Sequence, residues 1–242
     1  MGVDAGPGAP VRLTYYGHCA FMWESPQGAR VLIDPYENRH DYYWFLHRFP
    51  MVECDLALVS HSHFDHSAVG ELPDGASVLR MPGRFEYRDV SVTGVGDLHA
   101  GRAGARGMRN VMHLVETAGV RFLHTGDNRA QVPADVREQV GAVDVLMVTA
   151  DDSSHILSYD EVDSMVAMIG PRVVIPTHYL AAGLTTEEST LLPPDGWLET
   201  QRSVKKTGAH TVTVAPGDLP GSREVWVMEV APESLSAAAT GR

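Results

Sequence analysis

The 242-residue chain predicts a single α/β domain, in which two sheets are covered by helices on the outside. Short apolar runs punctuated by Gly and Pro predict many short strands, and a few capped segments predict helices between them. A hydrophobic fraction of 44% is typical of a globular protein with a substantial core. No repeat or linker divides the chain. We therefore expect one domain over residues 11–231, between a flexible N-terminus (residues 1–10) and a flexible C-terminal tail (residues 232–242).

Strands are predicted wherever apolar or β-branched residues lie between turn signals. These segments are residues 11–17, 20–24, 29–33, 56–60, 77–80, 90–95, 111–117, 120–124, 143–149, 172–175, 210–214 and 224–230. Three helices are predicted, over residues 133–140, 158–169 and 195–206. Ser158 and Glu161 form a capping box at the start of the second helix, and Gly170 ends it. Asp195 is the expected cap of the third helix, and Gly208 closes it.

The densest group of chemically active side chains is His61-Ser62-His63-Phe64-Asp65-His66, directly after the apolar run of residues 56–59. Side chains alternate along an extended chain, so His61 and His63 point to one side. The chain must then turn, which lets Asp65 and His66 approach from another direction. A solvated His-rich loop is the alternative. Four ligands exceed what one catalytic zinc ion takes from a single segment, so the pattern favours two adjacent metal ions.

Composition narrows the class of protein. A formal net charge of −12 argues against a surface for nucleic acid, which needs clustered Lys and Arg. No basic and apolar leader and no membrane-spanning stretch is present in the sequence. Cys19 and Cys54 do not make a disulfide framework and are expected to be reduced, packed thiols. We therefore predict a cytoplasmic protein that acts on a small molecule, without a nucleic-acid or membrane partner.

The hexapeptide fits a known pattern at every ligand position. His-x-His-x-Asp-His after a strand resembles the signature of the metallo-β-lactamase superfamily. Residues 15–18 and 31–35 look like the paired N-terminal strands of that fold, residues 125–127 like its Gly-Asp motif, and residues 175–178 like its late histidine. The resemblance implies a four-layer αββα sandwich. The compact length and the Gly-His and Asp-Pro elements look closest to the ascorbate-6-phosphate-lactonase-like branch.

The resemblance also implies how the ligands divide between two ions. His61 and His63 would serve the first ion, and Asp65 and His66 the second. Asp127 would bridge both ions, and His178 would complete the second set. An Asx turn after Gly126 is the alternative for Asp127.

The first ion needs one more imidazole, for which His99, His113 and His124 are candidates. His99 lies in a loop at the end of an apolar strand, where ligands can converge. His113 and His124 lie inside predicted strands, where a local hydrogen bond is the simpler interpretation. We therefore predict His99 as the ligand.

Two adjacent divalent ions lower the pKa of a shared water, so that hydroxide forms near neutral pH. The sequence thus predicts a metal-dependent hydrolase of a small ester, lactone or phosphodiester, with Zn²⁺ as the expected metal and Mn²⁺ or Fe²⁺ as alternatives. Asp65 is a candidate proton acceptor. The alternative functions are a phospholipase-like or nucleic-acid phosphodiesterase, an iron-dependent redox enzyme and a non-catalytic metal-binding protein.

Several other residues are secondary candidates. His155 lies in an acidic stretch after a strand and could donate a proton to a leaving group or bind substrate, with a solvated loop as the alternative. In the lactonase-like branch a glycine-rich segment is expected there. His18 is expected either to support a metal ligand or only to tie two strands together.

Two segments bear on the substrate. Arg102, Arg106 and Arg109 follow His99 and could recognise an anionic substrate, or could be solvated. The aromatic-rich residues 36–50 predict a lid over the site, a contact in a homo-oligomer, or core packing.

Overall fold

The computed structural model describes residues 9–236, which form two mixed β-sheets with helices packed against both of them. The strands are β1 Val11–Gly17, β2 Ala20–Glu24, β3 Arg30–Ile33, β4 Leu56–Leu58, β5 Ser77–Leu79, β6 Gly83–Tyr87, β7 Val90–Leu98, β8 Arg109–Thr117, β9 Val120–His124, β10 Val145–Thr149, β11 Val173–Thr177, β12 Val204–Lys206, β13 Thr211–Val214 and β14 Glu224–Val227. The first sheet has the order β13-β1-β2-β3-β4-β5, and the second has the order β12-β14-β11-β10-β9-β8-β7-β6.

The helices are short. They are α1 Gly101–Ala105, α2 Ala134–Val140, α3 Tyr159–Ile169, α4 Asp195–Thr200 and α5 Pro232–Ser236, with 3₁₀ turns at Val69–Glu71, Glu187–Ser189 and Pro216–Asp218. At the start of α3 the predicted capping box is present, because the backbone N–H of Ser158 donates to Glu161 Oε2 at 2.9 Å. Gly170 ends this helix in the left-handed conformation with φ +69°. None of the helices in residues 9–236 has the length and apolarity needed to cross a membrane.

Two apolar cores separate the layers. Alternate residues of the second sheet, such as Phe122 and Met147, pack against the first sheet, where Trp23 and Leu32 are fully buried. The opposite face of the second sheet, which includes Leu123, packs against α2, α3 and α4. Alternation along each strand explains why one sheet can supply both cores. The predicted α/β sandwich is confirmed.

The structure differs from the predicted elements at both ends of the second sheet. Residues 83–87 form the edge strand β6, which is mostly exposed and therefore lacks a clear apolar pattern. The helix predicted over residues 195–206 ends at Thr200, because residues 204–206 pair in parallel with β14. Strand pairing overrides the local helical pattern there.

The predicted C-terminal tail begins as a helix. Residues 232–236 form α5, and Ser234 is fully buried. The preceding Ala231 donates its N–H to Tyr15 O at 2.9 Å, which fixes this segment against β1. Residues 237–242 and residues 1–8 of the predicted flexible ends lie outside the described residues.

The aromatic residues of the segment 36–50 have two roles: most of those that are buried pack in the core, and Trp44 borders the candidate site. Tyr36, Phe45 and Phe49 are buried, and the rings of Tyr36 and Phe45 stack with centroids 4.1 Å apart. Trp44 is also buried but lies beside a group of histidines, whereas Tyr42 is exposed. The backbone N–H of Thr186 donates to Trp44 O at 2.8 Å, so the segment is held in place. Core packing therefore accounts for most of the buried aromatic residues of this segment, and the Trp44 side chain lines one side of the candidate site.

Candidate metal centre

Two clusters of candidate ligands, buried except for the half-buried His63, lie side by side at the strand ends of both sheets. The first consists of His61, His63, His99 and Asp127, and the second of His18, Asp65, His66 and His178. Within each cluster the candidate ligand atoms lie within 4.8 Å of one another. Each cluster offers three imidazoles and one carboxylate, a donor set that suits zinc and other first-row divalent metals.

The carboxylate of Asp127 faces both clusters. Its Oδ2 atom lies 3.3 Å from His99 Nε2 and 3.6 Å from His61 Nε2. Its Oδ1 atom lies 3.4 Å from His66 Nε2, and Oδ2 lies 3.6 Å from His178 Nε2. One carboxylate thus contacts imidazoles that the resemblance assigns to different ions. This is the geometry expected of a bridging ligand.

Close packing beside Gly126 places Asp127 there. A Cβ atom at Gly126 would lie 2.5 Å from Ser60 Cβ and 2.6 Å from Asn110 Oδ1, and the backbone has φ +53°. Only glycine fits both conditions. The Gly126 turn therefore brings Asp127 from the second sheet up to the segment that follows β4 in the first sheet.

Asp34 helps to orient one candidate ligand from each cluster, His61 through Ser60 and His66 directly. Ser60 donates its N–H to Asp34 Oδ1 at 2.7 Å and its hydroxyl to Oδ2 at 2.6 Å. Since that hydroxyl is already donating, His61 Nδ1, 3.0 Å away, must donate to Ser60 Oγ. His66 Nδ1 lies 2.8 Å from Asp34 Oδ2 and donates to it. Both imidazoles are thereby held with the lone pair on Nε2 facing the clusters.

His99, the predicted third imidazole, joins the first cluster. Its Nδ1 donates to Ala100 O at 2.8 Å, so its Nε2 is free to act as a ligand. His113 and His124 instead bond to backbone carbonyls, with Nε2 of His113 3.2 Å from Val59 O and Nε2 of His124 2.9 Å from Cys19 O. The structure therefore brings His99 into the site and leaves the other two in their strands.

The sequence analysis left two roles open for His18, namely support of a metal ligand or a tie between two strands. It lies at the turn between β1 and β2, is fully buried, and its Nε2 is 3.0 Å from Asp65 Oδ2. Its ring centroid is 4.2 Å from that of His178, and its carbonyl accepts the N–H of His178 at 3.1 Å. His18 therefore supports a ligand and ties two strands together at once. The Gly17-His18 turn was the only sequence signal for it.

Three residues of the site adopt left-handed backbone conformations. They are His18 with φ +54°, Asp34 with φ +46° and His178 with φ +60°. Residues other than glycine adopt such angles at a cost of about 1 kcal/mol or more each, and surrounding contacts must hold them there. The hydrogen bonds from Ser60 to Asp34 and from His178 to His18 O are such contacts.

The pKa of each carboxylate in the clusters depends on the histidines around it. Burial alone would raise the pKa of Asp65, but His66, His178 and His18 hold it well below its usual range. Burial would likewise raise the pKa of Asp127, and the surrounding histidines, led by His178, hold it well below that range. Both carboxylates are therefore anionic near neutral pH, as metal ligands must be.

Unsatisfied atoms inside the clusters fit a metal site. His66 Nε2, His99 Nε2 and Asp127 Oδ1 are buried and have no hydrogen-bond partner within residues 9–236. Leaving such atoms unpaired is costly, and nearly all buried polar atoms in native proteins have a partner. All three atoms point into the space that the ligands surround, where a bound cation would satisfy them.

His155, the second predicted catalytic residue, lies at the rim. It is exposed, and its ring stacks on that of His178 with centroids 5.6 Å apart. The ring of Trp44 meets it edge-on at 5.4 Å, and Phe64 lies on the other side of Trp44 at 5.2 Å. The side chains that surround the second cluster on this side are therefore mainly aromatic.

The cysteines and the predicted arginines lie outside the predicted ligand sets. The thiol of Cys19 is buried within 4.8 Å of ligand atoms of His66 and Asp127, and burial raises its pKa. Both cysteines are free, as predicted. Arg102, in α1, and Arg106, just after it, are exposed. Arg109, at the start of β8, lines a cavity next to His61.

Known proteins resemble the chain over most of its length. A family model described as a β-lactamase superfamily domain matches residues 12–178. A UPF0173 metal-dependent hydrolase from Anaeromyxobacter sp. (strain K) is 26% identical over 207 residues, which cover 69% of this chain and 74% of the relative. A UPF0173 protein from Pyrococcus furiosus is also 26% identical, over 184 residues that cover 70% of this chain and 83% of the relative.

Solved structures show the same fold. A protein from Thermotoga maritima, named as a candidate Zn-dependent hydrolase of the metallo-β-lactamase superfamily, superposes with a TM-score of 0.72 at 24% identity. The match covers 91% of this chain and all of that one. Igni18, a metallo hydrolase from Ignicoccus hospitalis, gives a TM-score of 0.58 at 18% identity, over 92% of this chain and 96% of its own. The chain therefore belongs to the metallo-β-lactamase superfamily.

Proposed function

We propose that the protein is a metal-dependent hydrolase with a dinuclear centre, acting on a small ester, lactone or phosphodiester. The observation that carries this proposal is the position of Asp127, whose two oxygens face imidazoles of both clusters. The name of the UPF0173 relatives, metal-dependent hydrolases, agrees with it. The narrower likeness to the ascorbate-6-phosphate-lactonase-like branch stays a prediction.

Each cluster suits one divalent ion, and the nitrogen-rich donor sets favour zinc. When bound, a pair of such ions activates water as a nucleophile and polarises the oxygen of the bond under attack. His61, His63 and His99 would hold one ion, and His66, His178 and Asp65 the other. Asp127 would contact both.

The protein's own groups supply the remaining steps. Oδ2 of Asp65 lies at the centre of the second cluster, 3.4 Å from both His66 Nε2 and His178 Nε2, where a carboxylate can accept the proton that the attacking water loses. His155 stands at the rim on the face of His178 and can hand a proton to the leaving oxygen. Trp44 and Phe64 shield this side from bulk water.

The test starts with elemental analysis of the purified protein, followed by assays of zinc-, manganese- and iron-loaded protein on bis-p-nitrophenyl phosphate and on a set of small lactones and esters. We expect about two metal ions per chain and turnover of at least one class. Asp127→Ala should lose both metal and turnover. Asp55→Ala is the matched control, because it removes a carboxylate that accepts the backbone N–H of Arg30 at 2.7 Å and lies outside the clusters.

Two outcomes would overturn the proposal. Full metal retention and activity in Asp127→Ala would show that the centre is elsewhere. Two bound ions without turnover of any class would favour a metal-binding protein that is not an enzyme. For the rim residue, His155→Gln should lower kcat while the metal content stays unchanged.

A further inference from the structure

A cavity of about 240 Å³ lies beside the segment that carries the first metal ligands. Residues 60–62 form one wall, and Arg80 and Arg109 form part of the rest. Arg80 directly follows β5 of the first sheet, whereas Arg109 begins β8 of the second sheet. Two exposed arginines from different sheets therefore line one cavity next to the candidate metal centre.

Ion pairs neutralise some of the other arginines of this acidic chain. Such pairs are Arg12–Glu24, Arg30–Glu53, Arg39–Asp41, Arg84–Glu86, Arg121–Glu116 and Arg129–Asp97. Among the side chains that the structure describes, none forms an ion pair or hydrogen bond with the guanidinium group of Arg80 or Arg109, and no acidic residue lines the cavity. In a chain of net charge −12, this leaves two unneutralised cations at one small cavity.

The other walls suit a small polar group. Ser62 is exposed, while the neighbouring side chain of His61 is completely buried, so the two side chains face opposite ways along the segment. Ser62 is one of the residues that line the cavity, and Met108 and Val111 add apolar side chains to the lining. Guanidinium groups and a hydroxyl are the donors that bind carboxylate and phosphate oxygens.

We propose that this cavity binds an anionic group, a carboxylate or a phosphate, held by Arg80 and Arg109 with help from Ser62. The same segment carries His61 and His63. A substrate whose anionic group binds in this cavity would therefore hold its scissile bond at a set distance from the metal centre. The assignment of this anion to the substrate rests on the proposed function. The anion site itself does not.

The site can be tested without turnover, by titrating the zinc-loaded protein with inorganic phosphate and, separately, with acetate, while amide NMR signals are followed. We expect shifts at Ser62, Met108 and Val111. In Arg80→Gln plus Arg109→Gln the dissociation constant should rise by about tenfold or more, the size expected when charge-assisted hydrogen bonds are lost. Comparing the two anions shows which oxyanion the cavity prefers.

The matched control is Arg102→Gln plus Arg106→Gln, which removes the same two charges from exposed positions that do not line the cavity. Its dissociation constant should stay within about twofold of the wild-type value. Phosphate also ligates zinc, so all proteins are compared at equal metal content. Unchanged affinity in the Arg80/Arg109 variant, or an equal loss in both double variants, would refute the anion site.

A substrate comparison then links the cavity to catalysis. An ester with a remote carboxylate should show a KM about tenfold higher in the Arg80/Arg109 variant, with kcat nearly unchanged. The neutral methyl ester of the same compound should show no change. Anion binding without this difference would separate the site from the substrate and leave the proposed hydrolase function standing.

Discussion

The imidazole of His18 lies 3.0 Å from the carboxylate of Asp65, measured from Nε2 to Oδ2. The two residues are 47 positions apart in the chain, and both are buried. Asp65 Oδ2 also lies 3.4 Å from Nε2 of both His66 and His178. His18 therefore orients the carboxylate that the second cluster depends on.

We expect His18→Ala to weaken binding of the second metal ion about ten- to a hundredfold, the usual effect of losing a residue that orients a ligand. Chelator competition with two-site fitting measures this affinity. His40→Ala is the control, because the His40 side chain is 93% exposed. Equal affinity in the two variants would show that Asp65 needs no support from His18.

The choice of third imidazole gives a second prediction. His99→Ala should lose the first metal ion, whereas His113→Gln should keep both ions, because the His113 ring hydrogen-bonds to Val59 O outside the clusters. Elemental analysis of both variants distinguishes the two roles. Metal loss in His113→Gln, with none in His99→Ala, would reverse the assignment.

A third prediction concerns Asp34, which accepts hydrogen bonds from Ser60 and His66. Asp34→Asn should weaken binding of both ions about ten- to a hundredfold. His66 would lose its direct acceptor, and the Ser60 hydroxyl that holds His61 would lose the carboxylate that orients it. The substitution should also cost roughly 1–3 kcal/mol of folding free energy, since buried donors lose their acceptor. Urea unfolding and chelator competition test the two effects, with Asp55→Asn as the control that keeps its metal.

A fourth prediction concerns pH. Burial lowers the pKa of His113 from 6.5 to about 4, so this residue is neutral in the folded protein and becomes charged more easily in the unfolded chain. Between these two values the unfolded state binds more protons. The contribution of His113 to the free energy of unfolding is therefore full above about pH 6.5 and is lost progressively as the pH falls towards 4.

His113→Gln removes the contribution of His113 to the pH dependence of the free energy of unfolding, while every other histidine still titrates. Urea unfolding of metal-free wild type and variant at several pH values between 7.5 and 4.5 should give a shallower pH slope for the variant, by up to one proton. Parallel curves would mean that His113 is not held neutral by its surroundings.

The structure brings residues 61–66 together with His99, Asp127 and His178, and the local part of this clustering follows from the sequence more directly than the distant part. Residues 61–66 could be identified because their spacing after a strand already determines which way the ligands point. Choosing His99 over His113 required only the distinction between a loop and a strand interior. The role of His18 depends on a contact with Asp65, and no local pattern encodes a contact across 47 residues.

The prediction of the fold is limited in the same way, because local patterns do not encode contacts between distant segments. Strands with buried apolar residues, such as β1 and β2, were predicted with the bounds that the structure has. The exposed edge strand β6 and the three-residue strand β12 were not, because pairing with neighbouring strands creates them and their own residues do not favour them strongly. Arg80 was missed for a similar reason, since only the meeting of two sheets places it beside Arg109.

The division of ligands between the two sheets has a consequence for folding. His18 and residues 61–66 belong to connections of the first sheet, whereas His99, Asp127 and His178 follow strands of the second. Ions held by both groups would act as non-covalent cross-links, closing loops as long as the 113 residues that separate Asp65 from His178. Cross-links across long loops restrict the unfolded chain most strongly, and binding to the native state alone shifts the equilibrium further towards it. The amount of folded protein in a cell would then follow the local supply of metal, so that starvation for the ion removes the protein as well as its activity.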